Sequence, residues 1–450
     1  MTDLLTQAAE VGQAARVALT APARASSPDL GLPLAHGVGS RHDLPLSPFY
    51  AYAGAFAALL ISFLALGLLW SSSRFRGDLS GRPLPAALQR VADAPATRAA
   101  LRLLGAVAAL VLLLHLLLGP DDPDRNPAPG ALYVLLWVGL VPASLLFGPV
   151  WRLLNPLRAL HALHPPHTPR PLPAAVGIRP AALGLLLFTW LELVAPDNTS
   201  SRTLLIALAA HTGAQLIGAG RYGDRWFAHA DPFEVYSSLL SRLSPLGRRA
   251  DGRLVLRSPF HGLDATPQTP GLVATVCVLL GSTAYDGLSD NPRWITTLQT
   301  SPLGPTPTAT LGLLAAVALV AACYGLCAGA LRLMNRTLTT PLTSFAHSLL
   351  PIALGYLVAH YFSLFVTEGL RTVILAGGTD NALAPAPFLG PGGLATLQVA
   401  AIVTGHVLGV VAAHDRSVRL FPPDRAVAGQ LPLFALMIAY TLGGIGLLIA

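Results

Sequence analysis

The sequence contains no lysine: all 29 of its Lys and Arg residues are arginine. With so much Ala, Leu, Pro and Gly, that absence reads as a GC-rich coding bias rather than a functional signal. Charge of either sign is scarce, at 11% of residues against 53% hydrophobic, and the mean hydropathy is +0.58. That balance excludes an ordinary soluble domain, which needs far more polar surface. Cysteine is limited to Cys277, Cys323 and Cys327, all in apolar stretches, which excludes a disulfide framework and suits small buried hydrophobes. Cys323 and Cys327 share a helical face at i, i+4, half of a soft-metal site, yet no second pair matches them. No Gly-x-Ser-x-Gly elbow, phosphate loop or dinucleotide fingerprint occurs. No internal repeat is evident.

Long apolar runs dominate what remains. A transmembrane helix needs about 20 mainly apolar residues, and such spans fall near 49–70, 98–119, 131–150, 177–195, 203–220, 271–289, 308–331, 345–367, 393–413 and 430–450. Cytoplasmic loops should concentrate arginine. Loops 71–97, 151–180, 221–269, 332–342 and 414–429 hold 20 arginines, whereas the alternate loops hold only Arg125, Arg202, Arg293 and Arg371. The net charge of +7 is therefore a topology signal, and no nucleic-acid partner is expected.

The expected fold is all-α, a polytopic transmembrane bundle of about ten spans with both termini outside, multi-pass in the plasma (inner) membrane. Residues 1–47 form an outward-facing, partly disordered segment, and 48–450 the membrane domain with its cytoplasmic loop 221–269. Residues 1–34 lack the continuous apolar core of a signal peptide. Within the long loop, 231–249 mixes apolar residues with arginines and suggests a short helix lying in the membrane interface. The following 252–260 suggests a small hairpin strand.

Ionisable groups at membrane depth are costly, roughly 3 kcal/mol or more each, so they are functional candidates. Span eight carries His347 and His360, with Glu368 at its outer rim; span nine carries His406, His414 and Asp415. Their short connection makes the two spans antiparallel neighbours, and Gly405 and Gly409 permit close approach. Two levels result: an inner one of His347, His414 and Asp415, and a middle-to-outer one of His360 and His406 with His211, Glu192, Asp286 and Glu368. Imidazole and carboxylate together suit a divalent transition metal, zinc or copper. His115 and His414 lie near interfaces, where solvation is the favoured account, and a solvated cytoplasmic loop accounts for His161, His164 and His167. Haem fits poorly, because the histidine separations on the two spans, 13 and 8 residues, do not match. Outside the membrane, AHGVGSRHDLP (35–45) adds His36, His42 and Asp43; a chain cut just before His36 would offer an amine and an imidazole to copper.

Several segments resemble actinobacterial integral membrane proteins known as fenitrothion hydrolase or fenitrothion hydrolase-like. They are AHGVGSRHDLP (35–45), GPVWRLLNPLRAL (148–160), DPFEVYSSLLSRLSPLG (231–247), GSTAYDGL (281–288), the eighth span and GHVLGVVAAHDR (405–416). The resemblance covers nearly the whole membrane domain and implies a membrane-embedded hydrolase of apolar, organophosphate-type esters. It also implies a signal-like segment before AHG, where this chain has a polar leader. A phosphotriesterase needs a metal to polarise the phosphoryl oxygen and acidify a bound water. His360 and His406 as ligands, with Glu192 or Asp286, would supply that shell, and His347, His414 and His36 complete the metal candidates. The alternative is a transporter or accessory protein for a metal ion or proton, using the histidines as steps. Expected partners are the lipid bilayer and a small apolar substrate or a metal ion.

Overall fold

The computed structural model describes residues 48–163, 168–336, 338–378, 389–423 and 425–449; His36, His42, Asp43, His164 and His167 lie outside them. The described chain is an all-α membrane-type bundle. Its long helices are α1 (Pro48–Leu69), α2 (Pro95–Leu118), α3 (Ala128–Phe147), α4 (Arg179–Leu193), α5 (Ser201–Tyr222), α6 (Leu272–Ser289), α7 (Pro305–Met334), α8 (Leu350–Ala376), α9 (Pro391–Leu420) and α10 (Leu431–Ile449). Proline marks many of the starts, including those of α1, α2, α7 and α9. Its missing N–H is one that a first helical turn leaves unbonded anyway, and its fixed φ is already helical.

Among the described residues, nine helices are long and apolar enough to cross a membrane. The expected fourth span is the difference. Helix α4 has 15 residues, about 22 Å at 1.5 Å per residue, short of a hydrocarbon core about 30 Å thick. Its Ala181, Leu185, Phe188 and Leu191 are buried, while Leu183 and Leu187 are exposed, so protein covers one face of it.

The expected pairing of spans eight and nine is present. Helices α8 and α9 make the most extensive contact of any two elements. A Cβ on Gly405 would meet the Pro351 carbonyl oxygen at 2.5 Å, and one on Gly409 the Ser348 carbonyl oxygen at 2.7 Å. Backbones this close require glycine at both positions.

The segment expected to float at the interface is instead interior. It forms a helix, Pro232–Leu240, whose Phe233, Val235, Tyr236, Leu239 and Leu240 are all buried. The reason is that α3 and α4 cover it, so its apolar residues face protein. The strand expected in 252–260 is there, as β3 (Leu254–Leu256); it pairs with β2 (Leu246–Arg248), at the end of the segment read as helix, and with an unanticipated β1 (Arg82–Pro83) in an antiparallel sheet of order β1-β3-β2.

Candidate membrane-embedded acid site

Helices α4, α6 and α8 bring Glu192, Asp286, His360 and Tyr361 to one buried region. Asp286 is 1% exposed, and its Oδ2 lies 2.8 Å from His360 Nε2. The Tyr361 hydroxyl donates to the same oxygen at 2.7 Å. A carboxylate held in apolar surroundings needs such donors, because an uncompensated charge there is costly. His360 and Tyr361 are sequence neighbours, yet both reach Asp286, and their rings meet edge to face at 4.8 Å.

Glu192, 2% exposed at the end of α4, is within electrostatic range of Tyr133, Tyr236 and Tyr361. Tyr361 thus hydrogen-bonds Asp286 and also feels the Glu192 charge. Aromatic rings seal the region: Trp137 stacks on Tyr236 at 4.5 Å and contacts Phe188 at 5.3 Å. Tyr133 and Trp137 come from a wide turn of α3 in which the Gly139 N–H bonds the Val134 carbonyl at 2.9 Å, an i→i+5 closure. Such π-type turns are rare and concentrate at functional sites. Above Glu192, Asn198 donates to the Glu192 carbonyl and its own carbonyl accepts from the Tyr133 hydroxyl.

The remaining candidates have other partners. His406 is fully buried and donates from Nδ1 to the Ile402 carbonyl at 2.9 Å, with the Tyr356 ring edge to face at 5.7 Å. The His406 Nδ1–H tautomer follows from that bond. His347 hydrogen-bonds backbone at Ala412 and Ser344. His414 is not solvated but buried, because the chain following α1 folds over it. Its Nε2 faces the Trp70 carbonyl at 2.9 Å and its Nδ1 the Gln430 Oε1 at 3.1 Å. Asp415 accepts from the Ser73 hydroxyl at 2.8 Å and the Arg74 N–H at 2.5 Å. Arg416 and Arg419 both bind Asp264. The inner level therefore ties α9 to the chain after α1. His211 packs on Phe233, at 6.0 Å, and Glu368 pairs with Arg371, which also reaches Asp124.

Among the described residues, no group of three or more His, Cys, Asp or Glu side chains is gathered as a metal shell would need. His360 and Asp286 supply two donors that are already hydrogen-bonded to each other.

Four residues that charge and depth alone did not single out form a second buried polar cluster. The chain twice runs helix, Asx, Pro, helix: Trp151–Leu154, Asn155, Pro156–His161, and Arg225–Ala230, Asp231, Pro232–Leu240. Asn155 accepts from the Leu157 N–H and Asp231 from the Glu234 N–H, so each caps its second helix. Equivalent positions then pair. Asn155 Nδ2 donates to Asp231 Oδ2 at 2.9 Å, and Arg158 binds Glu234 bidentately at 2.7 and 2.8 Å. Helix 156–161 packs on α5 while helix 232–240 packs on α3. Two segments of the same order, helix, Asx, Pro, helix, thus meet through matching positions, 155 with 231 and 158 with 234. Each unit leads on to a helix with a carboxylate near its end, Glu192 in α4 and Asp286 in α6. The signal was present in NPLR (155–158) and DPFE (231–234), which share Asx-Pro and end in opposite charges.

Burial pushes the Asp231 carboxyl up to about 6, against the opposing hydrogen bonds from Glu234, Asn155 and Phe233 and the Arg158 charge. Burial likewise raises Glu234. A carboxyl raised on folding stabilises the folded state below its ordinary value near 4, and that contribution is lost as pH rises through about 6. Thermal midpoints of the wild type minus those of Asp231→Asn should therefore fall between about pH 4 and pH 7. A flat difference would remove this assignment.

No protein-family model, curated protein or solved structure matches the chain.

Proposed function

We propose that this protein moves protons through the membrane, alone or coupled to a solute, with Asp286 as the group that takes and releases the proton. The observation that carries this reading is the sharing of one buried Asp286 oxygen by His360 Nε2 and the Tyr361 hydroxyl. Each of these three groups exchanges a proton without moving more than a side chain. Intramembrane carboxylate and histidine chains are the usual apparatus of proton relays. Glu192, whose charge Tyr361 also feels, is the second carboxylate of this region. Reconstituted protein should acidify dye-loaded vesicles when a pH gradient is applied, and vesicles with Asp286→Asn protein should not. Equal rates for protein-bearing and protein-free vesicles would discard the reading.

A second reading, hydrolysis of an apolar ester as in the fenitrothion hydrolase-like proteins, is favoured by the Asp286–His360 pair alone. A carboxylate that orients an imidazole makes it a competent general base toward water, and an apolar ester would concentrate in the bilayer beside it. Purified protein would then cleave a thiophosphate triester, with or without added zinc or copper. Absence of cleavage under both conditions rejects it.

A further inference from the structure

The helix Ala86–Asp93 has no buried residue. Its Leu88 and Val91, three residues apart on one face, are 51% and 60% exposed. It is held by Gln89, whose amide donates to the Leu254 carbonyl at 2.7 Å and accepts from the Leu254 N–H at 2.9 Å. That clamp fixes which side of the helix faces the sheet and leaves the apolar pair outward. Two residues later α2 begins, and its Leu103, Leu104, Val107 and Leu110 are exposed as lipid-facing residues are. The short helix is therefore continuous with a surface that meets hydrocarbon, so Leu88 and Val91 have bilayer rather than water to enter.

The charge of this stretch has one sign. Arg82, Arg90, Arg98 and Arg102 lie within 82–102, and the sole carboxylate there is Asp93, which is held by Arg248 at 2.6 Å. Arg98 and Arg102 are one helical turn apart on α2 and share a face, at the depth where long cationic side chains reach the headgroups. Arg82, Arg90 and Arg98 are exposed.

We infer that the helix Ala86–Asp93 and the first turns of α2 form a binding surface for anionic phospholipid headgroups of the protein's own bilayer, with Leu88 and Val91 inserted between acyl chains and the arginines on the phosphates. An arginine at a charged membrane surface contributes about 1 kcal/mol, or about fivefold in affinity. Full-length protein in mixed micelles of phosphatidylglycerol and phosphatidylcholine, analysed by native mass spectrometry, should retain phosphatidylglycerol preferentially. The preference should fall about fivefold in Arg90→Gln and further in Arg90→Gln with Arg98→Gln. Arg332→Gln, at the end of α7, serves as the control and should leave it unchanged. If the double variant is not monodisperse, the single one suffices, because its helix buries nothing. No preference in the wild type, an unchanged preference in Arg90→Gln, or an equal loss in Arg332→Gln overturns the inference.

Discussion

Asp286→Asn should lower proton flux through reconstituted protein by about 100-fold or more, the scale on which a positioned proton-transfer group acts. The substitution keeps the volume of a residue that is 1% exposed, so the packing of α6 is retained while the titrating oxygen is lost. Tyr361→Phe removes only the hydroxyl that donates at 2.7 Å and should cost less, about tenfold, because His360 still reaches the carboxylate. Glu192→Gln tests the second carboxylate, and a flux reduced together with Tyr361→Phe but not additively would place both on one path. The measurement is initial dye acidification in vesicles carrying equal amounts of folded protein. Asp286→Asn flux indistinguishable from wild type would falsify the relay.

The largest stability effect is expected at the paired Asx-Pro units. Glu234→Ala leaves the Arg158 guanidinium, 5% exposed, with its bidentate partner gone. Removing one member of a buried ion pair typically costs about 3–5 kcal/mol, since the stranded charge keeps its desolvation penalty. Arg158 would retain the Asp224 carbonyl at 3.0 Å and the Phe227 ring at 5.0 Å, which places the loss toward the lower end of that range. Arg158→Glu combined with Glu234→Arg should recover part of it, because the pair joins equivalent positions of two similar segments. Denaturation midpoints in detergent for both singles and the double give the coupling. A Glu234→Ala loss below about 1 kcal/mol, the scale of an exposed pair, would contradict the buried geometry.

The resemblance between these two segments was legible in the chain only after the structure paired them. NPLR and DPFE share two of their chemical features, but their flanks differ, and four residues are too few to declare a repeat. What makes them equivalent is that Asn155 meets Asp231 and Arg158 meets Glu234, contacts between residues 76 positions apart. Tyr361 was missed for a related reason. A tyrosine beside a histidine in an apolar span is ordinary; it becomes part of a site only when helix α6 presents Asp286 to both.

By itself the sequence determined the membrane class, the positions of the long helices, the close pairing of α8 with α9, and the rarity that made Glu192, Asp286 and His360 worth naming. These follow from local quantities: the length of apolar runs, the absence of charge within them, and glycines at helical spacing. Tertiary structure alone decided which polar groups share a site. It joined His360 to Asp286, gave His406 to its own helix, buried His414 beneath the chain after α1, and drew the helix 232–240 inward. The physical reason is the same in each case. A buried polar group must be satisfied by whatever donor or acceptor the neighbouring helices supply, and that supply is set by helix packing rather than by spacing along the chain.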